Sequence, residues 1–92
     1  MESSKIVITV VGKDKVGIIA AVTGVLAETN VNILDISQTI MQSFFTMILV
    51  ADARDARIAY SDLLTRLEET GNSLGVKITV QREDVFNYMH RI

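Results

Sequence analysis

The chain contains no cysteine, no proline and no tryptophan, and its single histidine lies at position 90. The missing cysteines exclude disulfides, thiolate zinc sites, iron–sulfur clusters and a cysteine nucleophile together. One histidine near the chain end leaves the usual His-rich metal sites out of reach, and no Ser-His-Asp triad forms in an early loop without a long C-terminal return. No metal or cofactor is expected. Without proline, and without a low-complexity stretch or charge block, there is no linker to find, so the 92 residues predict one contiguous domain. No run approaches the roughly 20 apolar residues of a membrane span. The start, with Glu2 ahead of a short apolar stretch broken at Gly12, differs from a secretory signal, and a cytoplasmic protein is expected. Nine Lys and Arg against eleven Asp and Glu give a net charge of −2. That balance lacks the basic excess that binding of nucleic-acid phosphates or anionic lipid requires, so neither is an expected partner.

Apolar residues make up 49% of the chain and charged residues 22%, the balance of a folding sequence rather than a disordered one. Lys5 to Val11 is mostly β-branched and stops at Gly12, which predicts a strand buried on both faces. After the loop Gly12–Gly17, the residues Ile18, Ile19, Val22, Val25, Leu26 and Thr29 recur at spacings of three and four, the stripe of a helix on a core. Asp14 is a candidate cap for that helix and Asn30 its terminator. Asn32 to Met41 alternates, with Leu34, Ile36 and Ile40 on one face and Asp35, Ser37 and Thr39 on the other, a half-exposed strand. The short Gln42-Ser43 link makes the apolar run Phe44–Ala51 its hairpin partner. A second helix, capped by Asp52 or Asp55, carries Ala56, Tyr60, Leu63, Leu67 and Leu74 near one side, with Gly71 blurring its end. Val76 to Gln81 alternates as a fourth strand.

The order predicts an α+β fold, a ferredoxin-like βαββαβ sandwich with a four-stranded antiparallel sheet and two helices on one face. The two strands apolar on both sides belong in the middle and the two alternating ones at the edges. Val7, Val11, Ile48 and Val50, or their opposite-phase neighbours, then lie on a face no helix covers. A short C-terminal helix over 82–92, with Val85, Phe86, Met89 and Ile92 at near-helical spacing, is suited to cover it in its own subunit or a neighbour's.

The loop Gly12-Lys13-Asp14-Lys15-Val16-Gly17 concentrates polar groups at a strand-to-helix junction. It reads two ways. Free N–H groups at a helix start and two lysines attract a carboxylate or phosphate. Alternatively the glycines serve backbone geometry, Asp14 caps, and the lysines are solvated. The loop has neither the spacing of a dinucleotide site nor the Lys-Ser/Thr ending of a P-loop. Asn32 is likewise either a turn residue or an amide offered to a ligand. No paired acid–base carboxylates and no activated nucleophile are evident, so no catalytic residue is assigned.

The run Ile-Thr-Val-Val-Gly-Lys-Asp-Lys-Val-Gly-Ile-Ile-Ala, followed by Val-Asn-Ile-Leu-Asp-Ile-Ser-Gln-Thr-Ile and Phe-Thr-Met, resembles the ACT domain over residues 5–81. It is most similar to single-ACT proteins related to the glycine cleavage system transcriptional repressor. The resemblance implies a non-catalytic regulatory module that binds an amino acid or similar small carboxylate and works as a dimer or higher assembly on a regulated protein. It places Lys13, Asp14, Lys15, Val16 and Gly17 in the ligand loop and Asn32 at the polar entry to strand two. Many amino-acid-binding members carry Pro where Val16 stands. The loop and Asn32 fall at opposite ends of the first helix, so one small ligand reaches both only if two strand-two edges pair antiparallel in a homodimer. Two other readings stand beside this one. One is a ligand-free dimerisation or interaction module. The other is an enzyme resembling acylphosphatase, which holds phosphate with an Arg where this loop has Lys13 and Lys15.

Overall fold

The β-branched run after Ser4 becomes β1 (Lys5–Lys13), an inner strand of a four-stranded sheet. It is followed by α1 (Ile18–Glu28), β2 (Asn32–Met41), β3 (Phe44–Asp52), α2 (Tyr60–Leu74) and β4 (Val76–Arg82). The computed structural model describes residues 4–84. The segment carrying Val85, Phe86, Met89, His90 and Ile92, and with it most of the expected C-terminal helix, lies outside the described residues. The sheet order is β2-β3-β1-β4 with every neighbour antiparallel, so the two strands apolar on both sides are central and the two alternating ones are edges.

The core lies between one sheet face and the two helices. Ile6, Ile8 and Val10 from β1 and Phe45, Met47, Leu49 and Ala51 from β3 point into it. They meet Ile18, Val22, Val25 and Leu26 of α1 and Leu63 and Leu67 of α2. Val7, Val11, Ile48 and Val50 take the opposite phase and fall on the face that neither α1 nor α2 covers, where Val7 is buried and Ile48 exposed. Gly71 does not end α2: the helix runs on to Leu74, and a Cβ at position 71 would stand 2.8 Å from the Val76 carbonyl oxygen. Only glycine lets the helix approach β4 that closely.

Three local expectations are corrected. Asp14 does not cap α1, because a cap must directly precede the helix and that position is Gly17, at φ 94°. Neither Asp52 nor Asp55 caps α2; Ala59 precedes it, and Asp62 supplies the favourable negative charge in its first turn. The alternation of β2 is broken by a bulge between Ile33 and Asp35, which removes Leu34 from the face shared by Ile36 and Ile40. Asn30 does terminate α1, adopting φ 62° and donating from Nδ2 to the Asp55 carbonyl at 2.9 Å.

Asp52 instead ties the start of β1 to the end of β3. Its Oδ1 accepts from the Ser4 hydroxyl at 2.7 Å and from the Arg54 N–H at 2.9 Å. The Ser4 bond first, then the Arg54 N–H, with the Arg54 and Lys5 charges behind them, hold the carboxyl below its ordinary value of 3.8. A depressed carboxylate favours the folded state above the unfolded value and loses that contribution as pH falls through 3.8 toward the folded value. Urea midpoints measured between about pH 6 and pH 2 are therefore expected to fall less steeply in Asp52→Asn than in the parent chain.

The hydrogen-bond phase of the sheet follows from its ends. The Ser4 carbonyl accepts from the Ala53 N–H at 2.9 Å, and the Asp14 N–H donates to the Ser43 carbonyl at 2.7 Å. Ladder bonds alternate along antiparallel strands, so Ala51, Leu49, Met47 and Phe45 of β3 turn their backbone groups toward β1. Val50, Ile48, Thr46 and Phe44 turn toward β2, where they meet Asp35, Ser37, Thr39 and Met41. The backbone N–H and C=O groups of Ile36, Gln38 and Ile40 are thus directed away from β3, along the open edge.

Candidate functional site

The turn from β1 into α1 creates a cleft of about 200 Å³. Gly17 in the left-handed region swings the chain into the helix, where an L side chain would cost about 1–2 kcal/mol. The Gly17 carbonyl accepts the first helical bond, from Ala21 at 2.9 Å. No side chain caps the start of α1, and its first turn carries no acidic residue. One wall of the cleft is therefore Asp14, Lys15, Gly17, Ile18, Ile19 and Ala20, which includes helix-start N–H groups without intrahelical partners. The other wall is Gln38 and Ile40 of β2 with Phe45 of β3. A polar rim over an apolar floor is the usual character of a small-molecule site.

The sequence-derived residues divide between the cleft and its surroundings. Asp14, Lys15 and Gly17 line it. Lys13 ends β1 opposite Phe44, next to the cleft, and Val16 projects into solvent at 98% exposure. Asn32 is at the other end of β2, in register with Asp52, on the order of 25 Å of strand from Ile40. A single subunit does not bring Asn32 to the loop. The structure instead adds Gln38, Ile40 and Phe45. Gln38 carried a readable signal: it is the polar member of a face otherwise built from Ile36 and Ile40. Asp35, Ser37 and Thr39 are exposed on the opposite face, as their alternation predicts.

A second, shallower cleft of about 340 Å³ runs between the helices, lined by Ala21, Arg66, Glu69, Thr70, Ser73 and Leu74. Its Arg66 is already paired with Glu28. Among the described residues no group of His, Cys, Asp and Glu is arranged to hold a metal ion, and no helix is long and apolar enough to cross a membrane. Among the described residues, no arginine lines the cleft at the α1 start.

The model of the ACT domain matches residues 4–81, nearly the whole described chain and both walls of the cleft. The chain belongs to the ACT domain family. A UPF0237 protein of Methanocaldococcus jannaschii is 51% identical over 89 residues, covering 97% of this chain and 99% of the relative. An ACT domain protein from Streptococcus pneumoniae has the same fold with a TM-score of 0.78 at 44% identity, over 91% of this chain and 94% of that one. A putative glycine cleavage system transcriptional repressor superposes with a TM-score of 0.68 over 85% of this chain and 44% of its own. At 23% identity that likeness is one of fold. The ACT domain is a small-molecule-binding regulatory module rather than a catalytic one.

Proposed function

We propose that this ACT domain is a non-catalytic regulatory module that holds a free amino acid, or a similar small carboxylate, at the interface of a homodimer and passes its occupancy to another protein. The observation that carries this reading is the position of the cleft: it joins the uncapped start of α1 to the open edge of β2. The N–H groups around Val16, Gly17 and the helix start suit the ligand carboxylate, and Lys13 and Lys15 add positive field. Asp14 suits the ammonium. Asn32 of the partner subunit completes the site at the amino or side-chain end.

The open edge supports the dimer. Edge strands are ordinarily blunted by lysine, proline or a short length. β2 has ten residues, carries neither, and leaves Leu34, Ile36, Ile40 and Met41 exposed. Pairing this edge with a second copy satisfies its backbone and covers that apolar surface.

The test is a thermal-shift panel of the twenty amino acids, paired with light scattering. A ligand at a hundredfold excess over its Kd stabilises the folded state by about 2.7 kcal/mol. At least one amino acid is expected to raise the melting temperature, and Asn32→Ala is expected to abolish that rise while the dimer mass stays. An unchanged rise removes Asn32 from the site. If no amino acid acts on a dimeric parent chain, the chain is an interaction module that uses the same edge without a ligand.

A further inference from the structure

We infer that residues 85–92 lie across the outer face of their own sheet, the face turned away from α1 and α2, and that Phe86 and Met89 seat on the row Gln81–Val7–Val50. The inference does not rest on the dimer proposed above.

Residues paired directly across antiparallel strands share a sheet face. On the outer face this gives three rows running from β4 through β1 and β3 to β2. The first is Gln81, Val7, Val50 and Asp35, the second Thr79, Thr9, Ile48 and Ser37, and the third Lys77, Val11, Thr46 and Thr39. Burial is deepest in the first row. Val7 is 4% exposed with Val50 and Gln81 half-buried beside it, whereas Ile48, one row away, is 39% exposed. Thr79, Lys77, Ser37 and Thr39 are exposed. Val7 and Ile48 are both apolar residues of inner strands, so flanking strands alone do not make the difference. Strand neighbours stand beside a side chain on a sheet face, and closing Val7 from water takes a further layer above it.

The described elements do not supply that layer. Four of them form the sheet, and α1 and α2 pack on its other face against Ile6, Ile8 and Val10, in a cluster to which Val7 does not belong. Val7 is buried within a single chain, so the layer comes from that chain, before Ser4 or after Asp84.

The C-terminal side fits. β4 brings Arg82 opposite Ile6, so the chain leaves the sheet next to Val7. Glu83 and Asp84 are already helical. A helix continued from Glu83 to Ile92 is about 15 Å long, and the sheet from β4 to β3 is about 10 Å wide. Val85, Phe86, Met89 and Ile92 then fall on one side of it, with Asn87, His90 and Arg91 on the other. Met1-Glu2-Ser3 offers one large apolar side chain and no such stripe. The cover withdraws this end of the sheet from contact with other molecules, so a partner protein meets Asn87, His90 and Arg91 in place of Val7 and Val50.

Because the chain has no cysteine, a single cysteine reports its own burial without background. Thiol labelling of Val7→Cys in the whole chain is compared with that of Val10→Cys, a position with no exposed surface on the helix-covered face. Both are expected to label slowly. Adding Phe86→Asp with Met89→Asp is expected to speed labelling at position 7 at least tenfold relative to position 10. Phe86→Ala alone, which introduces no charge, is expected to speed it several-fold. Rapid labelling of Val7→Cys in the otherwise unchanged chain overturns the inference, because the face is then open. Slow labelling that survives the changes at 86 and 89 assigns the layer to residues 1–3 and overturns it too. An equal rise at positions 7 and 10, in Phe86→Ala as in the double change, makes the segment a support of the whole fold and not a cover for this face. Protection at position 7 that fades on dilution, while position 10 stays protected, places the segment on a second copy and overturns its assignment to its own sheet.

Discussion

Leu49→Ala is expected to destabilise the fold by about 2–5 kcal/mol, the cost of removing a fully buried Leu side chain and leaving a cavity. Leu49 has no exposed surface and stands in the middle of β3, opposite Ile8 on one side and Ile36 on the other. It belongs to the cluster that joins both helices to the sheet. A domain of this size loses about 4–8 °C per kcal/mol, so the melting temperature is expected to drop by roughly 8–40 °C. The adjacent Ile48 is the control. It points to the face that neither α1 nor α2 covers, at 39% exposure, and Ile48→Ala is expected to cost well under half as much. Urea melts of the two variants decide the matter; equal losses would mean that the assigned sheet phase is wrong.

Ile40→Asp carries the largest expected functional effect. Ile40 is 53% exposed in the single subunit, so the change costs the subunit no more than about 1 kcal/mol through the low strand propensity of aspartate. The same residue lines the cleft and borders the open edge. In the proposed dimer a second copy covers this edge, and a carboxylate placed there lacks a counter-charge. The variant is expected to melt cooperatively near the parent temperature, to have the mass of one chain, and to lose any stabilisation by amino acids. Light scattering and a thermal-shift assay read all three. A dimer that still responds to ligand would separate both assembly and binding from this edge.

How far the sequence foretold these features depends on whether each is set by neighbours along the chain or by contacts across it. The β-branched runs and the stripe of Ile18, Val22, Val25 and Leu26 are local patterns, and they specified the element order and the central and edge strands, while leaving open which phase of the inner strands the helices cover. The caps were not legible, because Asp14 and Asp52 have the right chemistry for helix starts but are held elsewhere, by the Ser43 carbonyl through the Asp14 N–H and by Ser4 and Arg54. The bulge at Leu34 is equally invisible in an apolar alternation, since one extra residue changes the phase without changing the composition. The loop wall of the cleft was readable from two glycines and three charges at one junction. On the β2 wall only the polar Gln38 within an apolar face was legible; its place beside the loop was not, because Gln38 reaches the loop only through the hairpin pairing that carries Ile40 to Phe45.

In the proposed dimer, ligand binding and assembly reinforce each other, and static light scattering on the purified protein, with and without a mixture of amino acids, tests this most directly. The expected mass is that of two 10.2 kDa chains, persisting to lower protein concentration when the mixture is present. A mass of one chain, unchanged by a mixture that nonetheless raises the melting temperature, would contradict it.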